Sequence, residues 1–150
     1  MRVSREKWTG ELYAELYDLI LIHNEETAST LGPVEPMLEF YFMLANQEAL
    51  ECIIARNDEG EAIGYMLCLI TYNHHHRSVL VGSQDIFFVR KDYRKGSLGT
   101  KIIKKAEEVL IDRGCQIISM FYSESMDLKN YYEHLGYTPM EHTVYKKVGD

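Results

Sequence analysis

The chain is predicted to fold as one mixed α/β (α+β) domain. Three observations carry that expectation. It has 150 residues, 46% of them hydrophobic and 26% charged, which suits one globular unit. Apolar positions step by three and four in some segments and run continuously in others, so helices and strands both occur. The early strands are joined by a hairpin, whereas the later ones alternate with helices, as parallel crossovers do.

The elements follow in chain order. Trp8, Leu12, Leu16, Leu19, Ile20 and His23 lie on one face of a first helix, with Ser4 as its N-cap. Residues 24–36 read as a loop holding Pro33 and Pro36, and Met37 to Ala45 as a second helix. Cys52 to Ala55 is a short strand, Asp58-Glu59-Gly60-Glu61 a turn, and Ala62 to Tyr72 the return strand. Val79 to Val89 is another strand. Leu98, Ile102, Ile103, Ala106, Val109 and Leu110 form the stripe of a helix that Gly114 ends. Gln116 to Phe121 is a strand, Asp127 to Leu135 a helix stopped by Gly136, and Thr143 to Val148 a last strand. The expected order is ααβββαβαβ, with no internal boundary.

Composition narrows the function. The net charge is −7, which argues against a general binder of nucleic acid or of an anionic membrane. The charge is uneven: residues 1–75 hold 4 basic and 13 acidic side chains, residues 76–150 hold 12 and 10. No apolar leader follows Met1, and the apolar stretch Gly64 to Ile70 is too short to span a bilayer. Cys52, Cys68 and Cys115 form no metal or disulfide pattern and are expected as buried free thiols. A reducing, cytoplasmic setting follows as the expectation.

The stretch with chemistry in it begins at Asp85. A strand ending at Val89 enters a basic loop, Arg90 to Ser97, that opens onto a helix N-terminus. Free N–H groups and the positive end of the helix dipole point into such a loop, so phosphate is its natural ligand. A P-loop is excluded, because Gly96-x-x-Gly99-Thr100-Lys101 is two residues short and lacks the following Ser/Thr. A GxGxxG fingerprint is absent too.

Arg94-x-x-Ser97-x-Gly99 resembles the acetyl-CoA pyrophosphate loop of the GNAT superfamily of N-acetyltransferases, whose pattern is Gln/Arg-x-x-Gly-x-Gly/Ala. Ser97 stands where the middle glycine is usual. Tyr131 to Tyr137 is similar to the family's "LYEKLGF" segment, and Glu141-x-x-x-Tyr145-x-Lys147 to its last strand. Small members encoded by bacteriophages also carry a His-rich turn, here His74-His75-His76.

The resemblance implies acetyl transfer from acetyl-CoA to a primary amine, without a metal. An alkylammonium of pKa ~10.4 is neutral in about one part in 10³ at pH 7, so a base must act. Tyr132 is implied as the acid that protonates the departing thiolate, and Asp85 is the candidate base. Phe87, Phe88 and Val89 would pair with the pantetheine arm. Lys95, Gly96, Leu98, Thr100 and the motif residues Arg94, Ser97 and Gly99 would hold the phosphates. Asn130 would stand in for an Asn that the family often has where this chain has Ser125. His23, Glu26 and His75 are the candidate acceptor contacts. The acidic first half would then attract a cationic amine. The acceptor is a protein or a small molecule, and a homodimer through edge strands is compatible. The alternative on the same fold is an acyl-CoA-binding or protein-interaction module without turnover; catalysis dependent on Tyr132 separates the two.

Overall fold

The computed structural model describes residues 1–27, 31–123 and 126–149. The chain divides into two compact units, Met1–Met120 and Phe121–Asp150.

The first unit is built on a five-stranded sheet in the order β1-β2-β3-β4-β5. Its strands are β1 (Arg2–Glu6), β2 (Leu50–Arg56), β3 (Ala62–Tyr72), β4 (Leu80–Val89) and β5 (Ile117–Ser119). The first four pair antiparallel, and β5 pairs parallel to β4. The helices are α1 (Gly10–Thr27), α2 (Leu38–Asn46) and α3 (Leu98–Asp112), and α3 makes the crossover from β4 to β5.

Alternation along β2 and β3 sorts the core into two layers. Cys52, Ile54, Tyr65 and Leu67 turn toward Leu12, Leu16 and Leu19 of α1 and toward Trp8. On the α3 side, the position of a Cβ on Gly64 lies 3.2 Å from Ile102 Cδ1. The stripe read from the sequence is the buried face of α3: Leu98, Ile102, Ile103, Ala106, Val109 and Leu110 are all buried. Glu51 is 2% exposed and ties three elements together, receiving hydrogen bonds from Arg5 of β1 and from Arg113 after α3. Burial at that depth requires such partners.

Several boundaries differ from the sequence expectation: α1 runs on to Thr27, into the expected loop, β2 extends over Leu50–Arg56, and β5 spans only Ile117–Ser119. Ser4 lies in β1 rather than at a helix start, and Thr9 caps α1 by accepting from Leu12 N at 3.1 Å. β1 itself was hidden, since Arg2-Val3-Ser4-Arg5-Glu6 has no apolar run. It is an edge strand, where charge is favoured because it blocks further pairing. Cys52 and Cys68 are buried free thiols as expected, with pKa values pushed up to about 12, chiefly by burial; Cys115 is only half-buried.

The second unit contains α4 (Lys129–His134). Asp127 Oδ1 accepts from Lys129 N at its start, and Gly136 with φ +95° follows its end. The expected strand Thr143–Val148 does not form; Val144, Tyr145 and Val148 are 91%, 76% and 88% exposed. Its residues favour a strand by type, but a strand needs a partner edge, and none of the described strands pairs with it. The order is thus βααβββαβα. No described helix is long and apolar enough to cross a membrane.

Gly82 of β4 is where α3 comes closest: a Cβ there would sit 2.6 Å from Leu110 Cδ2. Gly82→Ala is therefore expected to cost about 1–3 kcal/mol of stability by overpacking. In the Gly82→Ala/Leu110→Ala double variant, the loss should be smaller than the sum of the two single losses. Urea denaturation of the four proteins checks this.

Candidate functional site

The two edges of β4 are treated differently. β5 pairs only with Val81–Ser83, so among the described residues no strand pairs with that edge of β4 from Asp85 to Val89. Arg90 N donates to Ile63 O at 2.9 Å. Alternate residues of an antiparallel ladder face the partner strand. Phe88 therefore turns its backbone groups toward β3, while Phe87 and Val89 turn theirs to the open edge. Of the three residues expected there, Phe88 is corrected to a sheet-pairing role.

A β-bulge places Asp85. Leu67 pairs with Ile86 and the next residue, Cys68, with Gln84, so Asp85 is the extra residue on β4. A bulge bends the strand and re-aims the side chain. Asp85 accepts a hydrogen bond from Tyr41 of α2, Oη to Oδ2 at 2.7 Å. Burial, and the carboxylate beside it, push the Tyr41 phenol well above its ordinary range, so it remains a donor.

The loop after β4 makes a 3₁₀ turn over Lys91–Tyr93 and enters α3 at Leu98. Gly96 has φ +133°, a conformation that favours glycine, whereas Ser97 has an ordinary φ of −97°. The strained position is thus Gly96, and Ser97 is accommodated where the family pattern has its middle glycine. The Ser97 side chain makes no capping hydrogen bond to α3. The first-turn N–H groups, Lys95 and Lys101 suit a phosphate. The residues present therefore fit a pyrophosphate. Leu98 is buried, while Gly99 and Thr100 stand half-buried in the first turn of α3.

Arg94 is turned to other partners. Its Nε donates to Val89 O at 2.7 Å, its Nη2 donates to Glu26 at 2.6 Å, and its guanidinium lies 5.1 Å from the Phe88 ring centre. Glu26, expected to hold an amine, instead pairs with Arg94 and ties the loop to α1. His23, one turn earlier, stacks on Phe88 with ring centres 4.5 Å apart, and its Nδ1 is 2.8 Å from Tyr65 Oη. Burial holds its pKa down to about 4, while Glu26 pulls it up and Arg94 pushes it down. The imidazole is neutral at pH 7, a poor proton relay and a good packing group.

A cavity of about 170 Å³ lies beside these residues, lined in part by Trp8, Tyr13, Ile20, His23, Val34, Tyr41, Tyr65, Leu67 and Ile86. Sequence reasoning missed it, along with Tyr41. The only available signal was the aromatic run Phe40-Tyr41-Phe42. His75 is exposed in the β3–β4 turn and is not among the cavity's lining residues. His75 N and His76 N donate to Asn73 Oδ1 at 2.9 and 3.0 Å, so Asn73 shapes that turn. Among the described residues, no group of three or more His, Cys, Asp or Glu could hold a metal ion.

In the second unit, Tyr132 is 5% exposed. It stacks on Tyr122 at 5.8 Å and meets Tyr131 and Tyr137 edge-on at 5.6 and 5.5 Å. Burial, then Tyr131, raises its pKa to about 12. Asn130 is exposed on α4, and Ser125 lies outside the described residues.

The profile of the Acetyltransferase (GNAT) family matches residues 13–137. The chain belongs to that family. Family membership makes it an N-acetyltransferase, of a class that uses acetyl-CoA. No curated protein sequence matches it. Solved GNAT-like structures share its fold at low identity. An acetyltransferase from Trypanosoma brucei is 17% identical with a TM-score of 0.71, covering 98% of this chain and 100% of its own. Glucosamine-6-phosphate N-acetyltransferase from Arabidopsis thaliana is 13% identical with a TM-score of 0.74, covering 99% and 100%. AAC(6′)-Iy, in complex with the bisubstrate analogue CoA-S-monomethyl-acetylneamine, is 17% identical with a TM-score of 0.71, covering 100% of both. Nothing in these comparisons supports a bacteriophage origin.

The depressed His23 pKa has a stability consequence. In the unfolded chain a histidine titrates near ~6.5, so between that value and about 4 the unfolded state binds the extra proton. Stability from the neutral imidazole is complete above pH ~6.5 and is lost as pH falls toward about 4. The drop in urea midpoint from pH 7 to pH 4.5 should be smaller in His23→Gln than in the parent protein.

Proposed function

We propose that this GNAT protein moves the acetyl group of acetyl-CoA to a primary amine by direct attack on the thioester, the whole chain acting as a single acetyltransferase domain. The observation that carries this is β4: an edge that no described strand pairs, with Phe87 turned to it and Val89 O held by Arg94 Nε, leads straight into the basic loop at the start of α3. An extended amide-bearing arm pairs with such an edge as an added strand would. A pyrophosphate suits the N–H groups of Leu98, Gly99 and Thr100, with Lys95 and the open turn at Gly96 beside them.

When bound, acetyl-CoA supplies the activated acyl group. The residues of the chain manage protons and position. Asp85, held through Oδ2 by Tyr41, takes the proton from the acceptor ammonium, directly or through a water. Tyr132 gives a proton to the leaving sulfur. With a pKa of about 12 it is fully protonated at neutral pH, and a free thiol of pKa ~8.5 retains that proton. The roles of Tyr132 and Asn130 rest on the family resemblance; that of Asp85 also rests on the bulge.

Tyr132→Phe is expected to lower kcat by about 10²–10⁴-fold while leaving acetyl-CoA affinity unchanged. Asp85→Asn should lower kcat/KM by a similar factor at pH 7 and less at pH 9.5, where more of the amine is already neutral. Calorimetry with acetyl-CoA and steady-state assays on an amine panel check both. Binding without turnover, indifferent to Tyr132→Phe, would support a binding module instead.

A further inference from the structure

The cavity beside Asp85 is uncharged. Among the described residues, its lining, which includes Trp8, His23, Tyr41, Tyr65 and Ile86, holds no Asp, Glu, Lys or Arg. His23 is the only lining side chain that titrates near neutrality, and burial holds it at about 4, hence neutral. Two carboxylates near its lining residues have partners: Glu26 pairs with Arg94, and Asp85 receives the Tyr41 hydroxyl. Tyr41 thus belongs both to the cavity wall and to the base.

Size adds a second limit. At about 170 Å³ the space compares with the ~150 Å³ apolar cavity that accepts one benzene ring. A polycation or a sugar phosphate placed there would bring several charged groups against apolar walls, where Asp85 can receive only one cation and no lining cation receives a phosphate.

We infer that this cavity receives the acceptor, and that the acceptor is a monoamine bearing one apolar group of about the size of a single aromatic ring. The ring or branched alkyl group packs among Trp8, Tyr65 and Ile86, and the ammonium lies at the Tyr41–Asp85 end. Polyamines, aminoglycosides and sugar phosphates are disfavoured. The acidic first half is expected to attract a cationic amine; within the cavity, apolar packing does the selecting. This assignment deepens the acetyltransferase reading above and rests on it for turnover.

Trp8 is the single tryptophan of the chain and lines the cavity, so its emission reports occupancy without any reaction. Phenethylamine should change that emission saturably, and spermidine should need at least tenfold higher concentration. With acetyl-CoA present, kcat/KM for phenethylamine should exceed that for spermidine, kanamycin and glucosamine 6-phosphate by at least tenfold. Val34→Phe, at a half-buried wall position, should raise KM for phenethylamine at least tenfold without altering acetyl-CoA affinity. Preference for the polycations or the sugar phosphate, or unchanged Trp8 emission, would overturn the inference. So would saturation by phenethylamine without its acetylation while acetyl-CoA is bound. Failure of acetyl-CoA itself to bind, measured by calorimetry, counts against the preceding reading, and the emission titration still decides what the cavity holds.

Discussion

The site depends on how β4 is hydrogen-bonded. The strand has neighbours on both edges through Ser83 and on one edge afterwards, and the bulge falls within two residues of that change. A backbone that loses a partner must find other hydrogen bonds or face solvent. Here the consequence is a short length of strand whose outer edge no described strand pairs, and whose last carbonyl, that of Val89, is taken by Arg94. It is flanked by a carboxylate that the bulge has turned out of register. Without the bulge, the alternation that puts Gly82 against α3 would send Ile86 to the same side. With it, Asp85 and Ile86 both reach the face where Tyr41 and the cavity lie.

Many charges of the chain are spent on one another. Glu51 is held between two arginines, Glu6 and Glu15 share Arg56, and Glu26 takes Arg94. An acidic first half therefore does not mean an acidic cavity. Many of those carboxylates hold elements together, and the wall around the cavity is built of aromatic and aliphatic side chains. Net charge is a property of the whole surface; the field in a small recess is set by the few groups that line it.

Most of the first unit was legible in the sequence. The stripe of α3, the β2–β3 turn and the limits of β3 follow from periodicity and turn residues, which act locally. The loop was legible too, since strand, basic turn and helix start are contiguous in the chain. What escaped was set by distant partners. β1 is a strand because β2 offers it an edge, which five mostly polar residues do not announce. Residues 143–148 are rich in strand-favouring side chains and form no strand, because pairing rather than composition makes one. The bulge at Asp85 is a mismatch between two strands, and neither alone reveals it. Tyr41 meets Asp85 across 44 positions, and Glu26 meets Arg94 across 68, so no local pattern could have joined them.

The Glu26–Arg94 pair also joins two regions that would otherwise respond separately. Arg94 opens the phosphate-fitting loop, whereas Glu26 closes the helix whose His23 lines the cavity. His23 feels both charges with opposite sign. An anion in the loop that draws the guanidinium away leaves Glu26 unopposed, and the imidazole then holds its proton more tightly. By thermodynamic reciprocity, a proton on His23 must favour the anion to the same degree. One ring nitrogen thereby keeps account, in its protonation, of which acid holds Arg94.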